Sequence, residues 1–169
     1  PGRQPYEGQP PGGQSYGGQP PGGRSSGEQP GGPAAADLYW LGETIDLSRR
    51  CPPSQTAFSV GAVIVGADGT PLASGYSREV DPRDHAEEAA LGKLRPGDPR
   101  LAGATLYSSL EPCGARASRP RPCAELIVAA GLRRVVYAWR EPPLLATGGG
   151  AGMLRAAGVS VTELQPVSV

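Results

Sequence analysis

The sequence predicts an α/β fold, a mixed sheet with helices on both faces. Three observations predict it: a hairpin signal over 60–76, an alternation of helix-type and strand-type segments after it, and a sharp change of composition near Pro33 that sets these segments apart from a tail.

The tail, 1–33, holds 11 glycines and 8 prolines, and its only hydrophobic residues are Tyr6 and Tyr16. QPPGG occurs at 9–13 and again at 19–23, with a degenerate third copy from Gln29. Such a segment cannot bury enough apolar surface to offset its ordering entropy, so disorder is expected. The repeat lacks the apolar stripe of a solenoid, and its glycines do not fall at every third position as in collagen. The remainder, 34–169, is long enough for one well-buried core and is read as a single domain.

Within that domain, 37–50 (DLYWLGETIDLSRR) places Leu38, Leu41 and Ile45 at helical spacing, with Trp40 and Leu47 widening the stripe. This predicts an amphipathic helix capped by Asp37 and stopped before Cys51-Pro52-Pro53. The β-branched run VGAVIV (60–65), a turn at 67–70 and a return over 71–76 predict the hairpin. Helix formers fill 85–94 (HAEEAALGKL), and prolines at 96 and 99 end them. A strand is expected over 104–110 (ATLYSSL), then a helix over 123–130 (CAELIVAA) with Gly131 beyond its end. A strand over 134–139, a short helix over 152–157 and a last strand over 159–164 complete the order.

Formal net charge is zero, which argues against a nucleic-acid backbone as partner. No apolar run approaches the roughly 18 residues a membrane span needs, and no charged-then-apolar N-terminal signal is present. Three cysteines do not make a secreted disulfide scaffold. A cytoplasmic location, no membrane and a small-molecule partner are therefore expected.

The chemistry is concentrated in a few residues. The single histidine lies in His85-Ala86-Glu87, and two of the three cysteines follow in Pro112-Cys113 and Pro122-Cys123. His-x-Glu followed by Pro-Cys and a second Cys is the signature of zinc nucleobase deaminases. One imidazole and two thiolates give zinc three protein ligands and leave a fourth tetrahedral position open, the mark of a catalytic site. His85, Cys113 and Cys123 are thus the expected metal ligands. Zinc there would activate water near neutral pH, and Glu87 would carry its proton to the ring nitrogen and then to the leaving amine. The cysteines are separated by nine residues, where two are usual. Arg116, Arg119 and Arg121 in that loop are candidates to clamp a phosphate. Cys51 is read as a structural thiol, Glu88 as surface or structural, and Glu111 as fixing the backbone.

These residues resemble the pyrimidine deaminase domain of riboflavin biosynthesis, within the zinc-dependent cytidine-deaminase superfamily. The resemblance covers the opening helix (DLYWLGETIDLS), VGAVIV, HAE, LEPC, AELIVAAGLRRVVYA and GGGAGMLRAAGVSV. In that family a similar long loop, commonly CxHxGRTPPC, separates the cysteines. Here it reads CGARASRPRPC, one residue longer, and counted back from Cys123 the family's Arg falls on Arg119. The resemblance implies a three-layer α/β/α cytidine-deaminase-like sandwich. It implies hydrolytic deamination of a 2,5-diamino-6-ribosylamino-pyrimidinone 5′-phosphate, and assembly as dimers or tetramers. It places Phe58 and Ser59 where the family touches substrate and Arg119 as the favoured phosphate ligand. The family's Asn-Pro before the first strand is replaced by Ala57-Phe58, and the loop histidines are absent. A related aminopyrimidine or another aminated heterocycle therefore stays open as substrate. A cytidine, cytosine or deoxycytidylate salvage deaminase and a non-catalytic zinc-stabilised binding module remain the alternatives.

Overall fold

The computed structural model describes residues 33–142 and 149–166. The expected disordered tail over 1–33 lies outside these residues, except for Pro33. So does Gly148, the first residue of the glycine turn.

The elements run in the predicted order: α1 Pro33–Ser48, β1 Gly61–Val65, β2 Pro71–Tyr76, α2 Ala86–Leu91, β3 Thr105–Leu110, α3 Cys123–Ala129, β4 Arg134–Trp139, α4 Gly150–Ala156 and β5 Ser160–Glu163. A 3-10 turn, Pro99–Gly103, is an addition; Asp98 caps it by accepting from the Arg100 N–H. The five strands form one mixed sheet in the order β2-β1-β3-β4-β5. β1 is antiparallel to both β2 and β3, while β3, β4 and β5 are mutually parallel.

Strand alternation sorts the core into two layers. Ala62, Ile64, Leu106 and Val135 point to one face, where they pack with Ala86 and Ala90 of α2, Ala124 and Ile127 of α3 and Leu154 of α4. Val63, Val65, Tyr107, Val136 and Ala138 point to the other face and pack with Leu41 of α1. That is the three-layer α/β/α sandwich. β1 is buried at all its positions, which is why VGAVIV reads as a continuous apolar run.

Three helices differ from expectation by more than a single residue. α1 begins at Pro33 rather than after an Asp37 cap. Proline is tolerated in a first helical turn and the alanines 34–36 are the best helix formers, so the helix extends backward. Asp37 is instead buried inside it, accepting from Arg134 Nη2 at 2.7 Å, Arg134 Nη1 at 2.9 Å and Tyr107 Oη–H at 2.8 Å. α2 stops at Leu91, with Gly92 as its C-cap. α4 starts at Gly150, earlier than expected, because the Gly150 N–H donates to Pro112 O and the Ala151 N–H to Glu111 Oε1. No described helix is long and apolar enough to cross a membrane.

Candidate active site

Helix starts and strand ends converge on the chemistry-bearing residues. His85 is the N-cap of α2, Glu87 lies in its first turn, and Cys123 is the first residue of α3. Cys113 follows the end of β3 and bridges to Gly149 just before α4. α2 can lie this close to the sheet because Gly75 of β2 has no side chain. A Cβ there would come within 2.6 Å of the Ala90 nitrogen.

His85 Nδ1 is 3.5 Å from Cys113 Sγ and 3.5 Å from Cys123 Sγ. All three donor atoms lie within 4.8 Å of one another. A tetrahedral zinc with ordinary Zn–N and Zn–S bonds requires N···S separations of about 3.6 Å, so the donor set fits that ion. The Cys123 N–H donates to Cys113 Sγ at 3.3 Å. A hydrogen bond from Cys123 and the neighbouring His85 hold the Cys113 thiol down to about 4. The same contact with Cys113, together with burial, pushes the Cys123 thiol up. Burial pulls the His85 imidazole down, but Cys113 and the Glu87 charge bring it above its ordinary value. Cys51 stands apart, its thiol donating to Val60 O at 3.4 Å.

Glu87 is 3% exposed and accepts from Ser108 Oγ–H, on β3, at 2.9 Å. Burial pushes its carboxyl up. Its neighbour Glu88 faces the other way, with Arg116 Nη2 at 3.0 Å and Arg119 Nε at 3.0 Å. Glu111 holds the backbone around the site, accepting from the Ala151 N–H at 3.1 Å and the Glu141 N–H at 3.3 Å.

A cleft of about 330 Å³ opens over His85, Glu87 and Cys113. Phe58 lines it, while Ser59 and Arg119 are not among its lining residues. Ser59 Oγ accepts from Arg78 Nη2 at 3.3 Å. Arg119 donates to Asp84 Oδ1 at 2.7 Å and sits against Glu88, with Asp81 at 3.7 Å. The loop folds Arg119 onto the acidic 81–88 segment, which consumes its charge. Arg121 pairs with Glu125 on the exposed side of α3.

Among the lining residues that sequence reasoning did not single out, Glu141 and Arg78 bear on the site's chemistry and shape. Glu141 has a buried Oε2 with no hydrogen-bond partner among the described residues, and burial and the charge of Cys113 push its carboxyl up. Its place just past the C-terminal end of β4, where open α/β sheets take ligands, was a usable signal. Arg78 adopts a left-handed backbone (φ 62) and donates to Pro52 O at 2.6 Å and Phe58 O at 2.9 Å. It thereby fastens the 52–59 wall of the cleft; nothing local in the sequence signals this.

Comparison with known proteins agrees with this geometry. The family model described as "Cytidine and deoxycytidylate deaminase zinc-binding region" matches residues 35–139, which contain His85, Glu87, Cys113 and Cys123. The diaminohydroxyphosphoribosylamino-pyrimidine deaminase of Schizosaccharomyces pombe is 38% identical over 123 residues, covering 72% of this chain and 30% of that protein. The riboflavin biosynthesis protein RibD of Escherichia coli is 34% identical over 128 residues, covering 75% of this chain and 33% of that one. The chain thus spans about a third of the length of these relatives. Among solved structures, Aspergillus oryzae Rib2 deaminase in complex with DARIPP superposes with a TM-score of 0.67 at 26% identity, covering 77% of this chain and 84% of that one. Since the match takes in well over half of the chain and every residue of the His-x-Glu and Pro-Cys signature, the chain belongs to the cytidine and deoxycytidylate deaminase zinc-binding family.

Proposed function

We propose that this protein is a zinc-dependent aminohydrolase that deaminates an aminopyrimidine nucleotide-like small molecule of the 2,5-diamino-6-ribosylamino-pyrimidinone 5′-phosphate type. One observation carries the reading: an N,S,S donor cluster beside a buried, proton-hungry carboxylate at the floor of an open cleft. The names of the S. pombe, E. coli and A. oryzae relatives support the substrate class.

His85, Cys113 and Cys123 would hold the zinc. When bound, zinc supplies the Lewis acidity that makes water a nucleophile near neutral pH. Glu87 does the proton work. Its carboxyl, raised by burial, takes one proton from water, gives it to the ring nitrogen, and then serves the departing amine. The water oxygen replaces the amino group on the ring carbon, and ammonia leaves. Ser108 fixes one Glu87 oxygen and leaves the other for this transfer. Glu141 presents a carboxylate oxygen, without a partner among the described residues, that is suited to accept from an amino group of the substrate.

The test is ammonia release by zinc-analysed protein against the diaminopyrimidine phosphate, cytidine, deoxycytidylate, cytosine and guanine. Release from the diaminopyrimidine phosphate, lost by about 10³-fold or more in Glu87→Ala at unchanged zinc content, is expected. Release only from cytidine or deoxycytidylate would replace the substrate. Zinc at one per chain with no release from any compound would favour a non-catalytic module.

A further inference from the structure

Arg116 belongs to the loop between the two cysteines, yet its side chain is only 3% exposed. Its guanidinium reaches the segment before α2, α2 itself, the cysteine loop and the first residue of α3. Nη2 donates to Arg83 O at 2.7 Å, in the segment running into His85, and to Glu88 Oε2 at 3.0 Å, on α2. Nε donates to Ser118 Oγ at 3.2 Å within the loop. Nη1 points at Cys123 Sγ, 3.9 Å away.

A buried guanidinium cannot shed its proton, so its charge must be met by fixed anions. Glu88 meets part of it, but Glu88 is shared with Arg119, which also lies on Asp84. The remaining group in contact with Arg116 that can carry negative charge is the Cys123 sulfur, which becomes a thiolate when it ligates a metal. That sulfur is half of a ligand pair which, as two thiolates beside a neutral imidazole, brings two negative charges to the metal position. Left alone, such a set neutralises a divalent ion and blunts its Lewis acidity. A permanent positive charge against the outer side of one sulfur opposes this, as partners behind the ligands do at other metal sites.

We infer that Arg116 is a positioning residue of the metal centre: it draws electron density from the Cys123 sulfur and ties the cysteine loop to the His85 segment. The inference rests on the zinc reading above.

Cobalt(II) substitution reads the sulfur directly, through the energy of the thiolate-to-cobalt charge-transfer band. Removing a nearby positive charge raises the sulfur lone pairs, so in Arg116→Met the band moves to longer wavelength. kcat of the zinc form falls about 10–100-fold, while KM changes by less than about threefold. Arg116→Lys, which keeps the charge without the fork, gives a smaller shift. Glu88→Gln, which breaks the ion pair but leaves Arg116 at the sulfur, leaves the band in place. If Arg116→Met does not fold, the double variant Arg116→Met/Glu88→Gln removes both partners of the pair and is expected to show the same shift. A band unmoved in the Met variants, or moved as far by Glu88→Gln as by Arg116→Met, overturns the inference. A wild-type protein that shows no thiolate-to-cobalt band at all overturns the zinc reading instead.

Discussion

Glu87 is held by a single side-chain bond, from Ser108 Oγ–H to Oε1, in a place where both residues are almost fully buried. A carboxylate that must move protons between water and substrate has to present one oxygen in a fixed direction. Ser108 sits on β3, the central strand, and is fully buried there, so its hydroxyl is held by the sheet and the packing around it. Ser108→Ala is expected to lower kcat about tenfold with little change in KM, since the lost interaction orients a proton carrier rather than binding substrate. Ser108→Thr keeps the hydroxyl and should recover most of the loss. Steady-state kinetics on both variants, with melting curves to confirm the fold, decide it; a rise in KM at unchanged kcat would assign Ser108 to binding instead. The serine carries no local motif, and its importance appears only when β3 and α2 are placed side by side. His85, Glu87, Cys113 and Cys123, by contrast, were legible because a metal site needs particular donor elements, and those survive as a pattern in one dimension. The loop arginines were legible as a group only. Counting back from Cys123 favoured Arg119 for the substrate phosphate; the path of the loop sets Arg119 beside the acids of 81–88 and Arg116 beside the sulfur, a difference that spacing alone does not carry.

At the scale of elements, the missed start of α1 has a physical reason. Asp37 is a good N-cap by type, and its actual partner, Arg134, is 97 residues away in sequence. Local reasoning weighs only neighbours, whereas the fold places this aspartate over the sheet, where it joins α1 to β3 through Tyr107 and to β4 through Arg134. Burial alone would push the Asp37 carboxyl up, but the bonds from Arg134 and Tyr107 and the arginine charge hold it below its ordinary value of 3.8. Tyr107 is pushed up to about 12 by burial and by the same aspartate. A carboxyl lowered on folding adds stability that is complete above its unfolded value and lost as pH falls through its folded one. The acid limb of stability below about pH 4 should therefore contain an Asp37 component. Asp37→Asn should flatten that limb and cost about 1–3 kcal/mol near neutral pH, by leaving a half-buried arginine without its anion. Urea titrations at several pH values measure both effects. An acid limb of unchanged slope in the variant would show that the pair contributes no linkage.

The whole molecule separates what folds from what reacts. Its two core layers, Ile64 with Leu106 and Ile127 on one face and Val63 with Val136 and Leu41 on the other, contain none of the donor atoms of the metal cluster and meet the cleft only at their margin, at Val60 and Leu110. The site instead lies where α2 and α3 begin and where the chain leaves β3 and β4, so its residues come from segments that the core positions only at one end. A metal held by His85, Cys113 and Cys123 would cross-link three of those segments. Removing it should leave the sandwich intact and loosen its rim. Far-UV circular dichroism of the chelated protein should match the loaded form, while the melting temperature falls. At free zinc about 1,000 times the dissociation constant, the loaded form gains about 4 kcal/mol. Hydrogen exchange should quicken in 83–88 and 114–123 and stay unchanged in β1, β3 and β4. Global unfolding on chelation would mean that the metal completes the core, and these cysteines would then be structural first. An unchanged melting point and exchange pattern would mean that the loop is already held without metal, by Arg116 and Arg119 on the acids of α2 and the segment before it. The intermediate outcome, a stable sandwich with a loosened rim, follows from a core built mainly of apolar side chains beside a site built of polar ones.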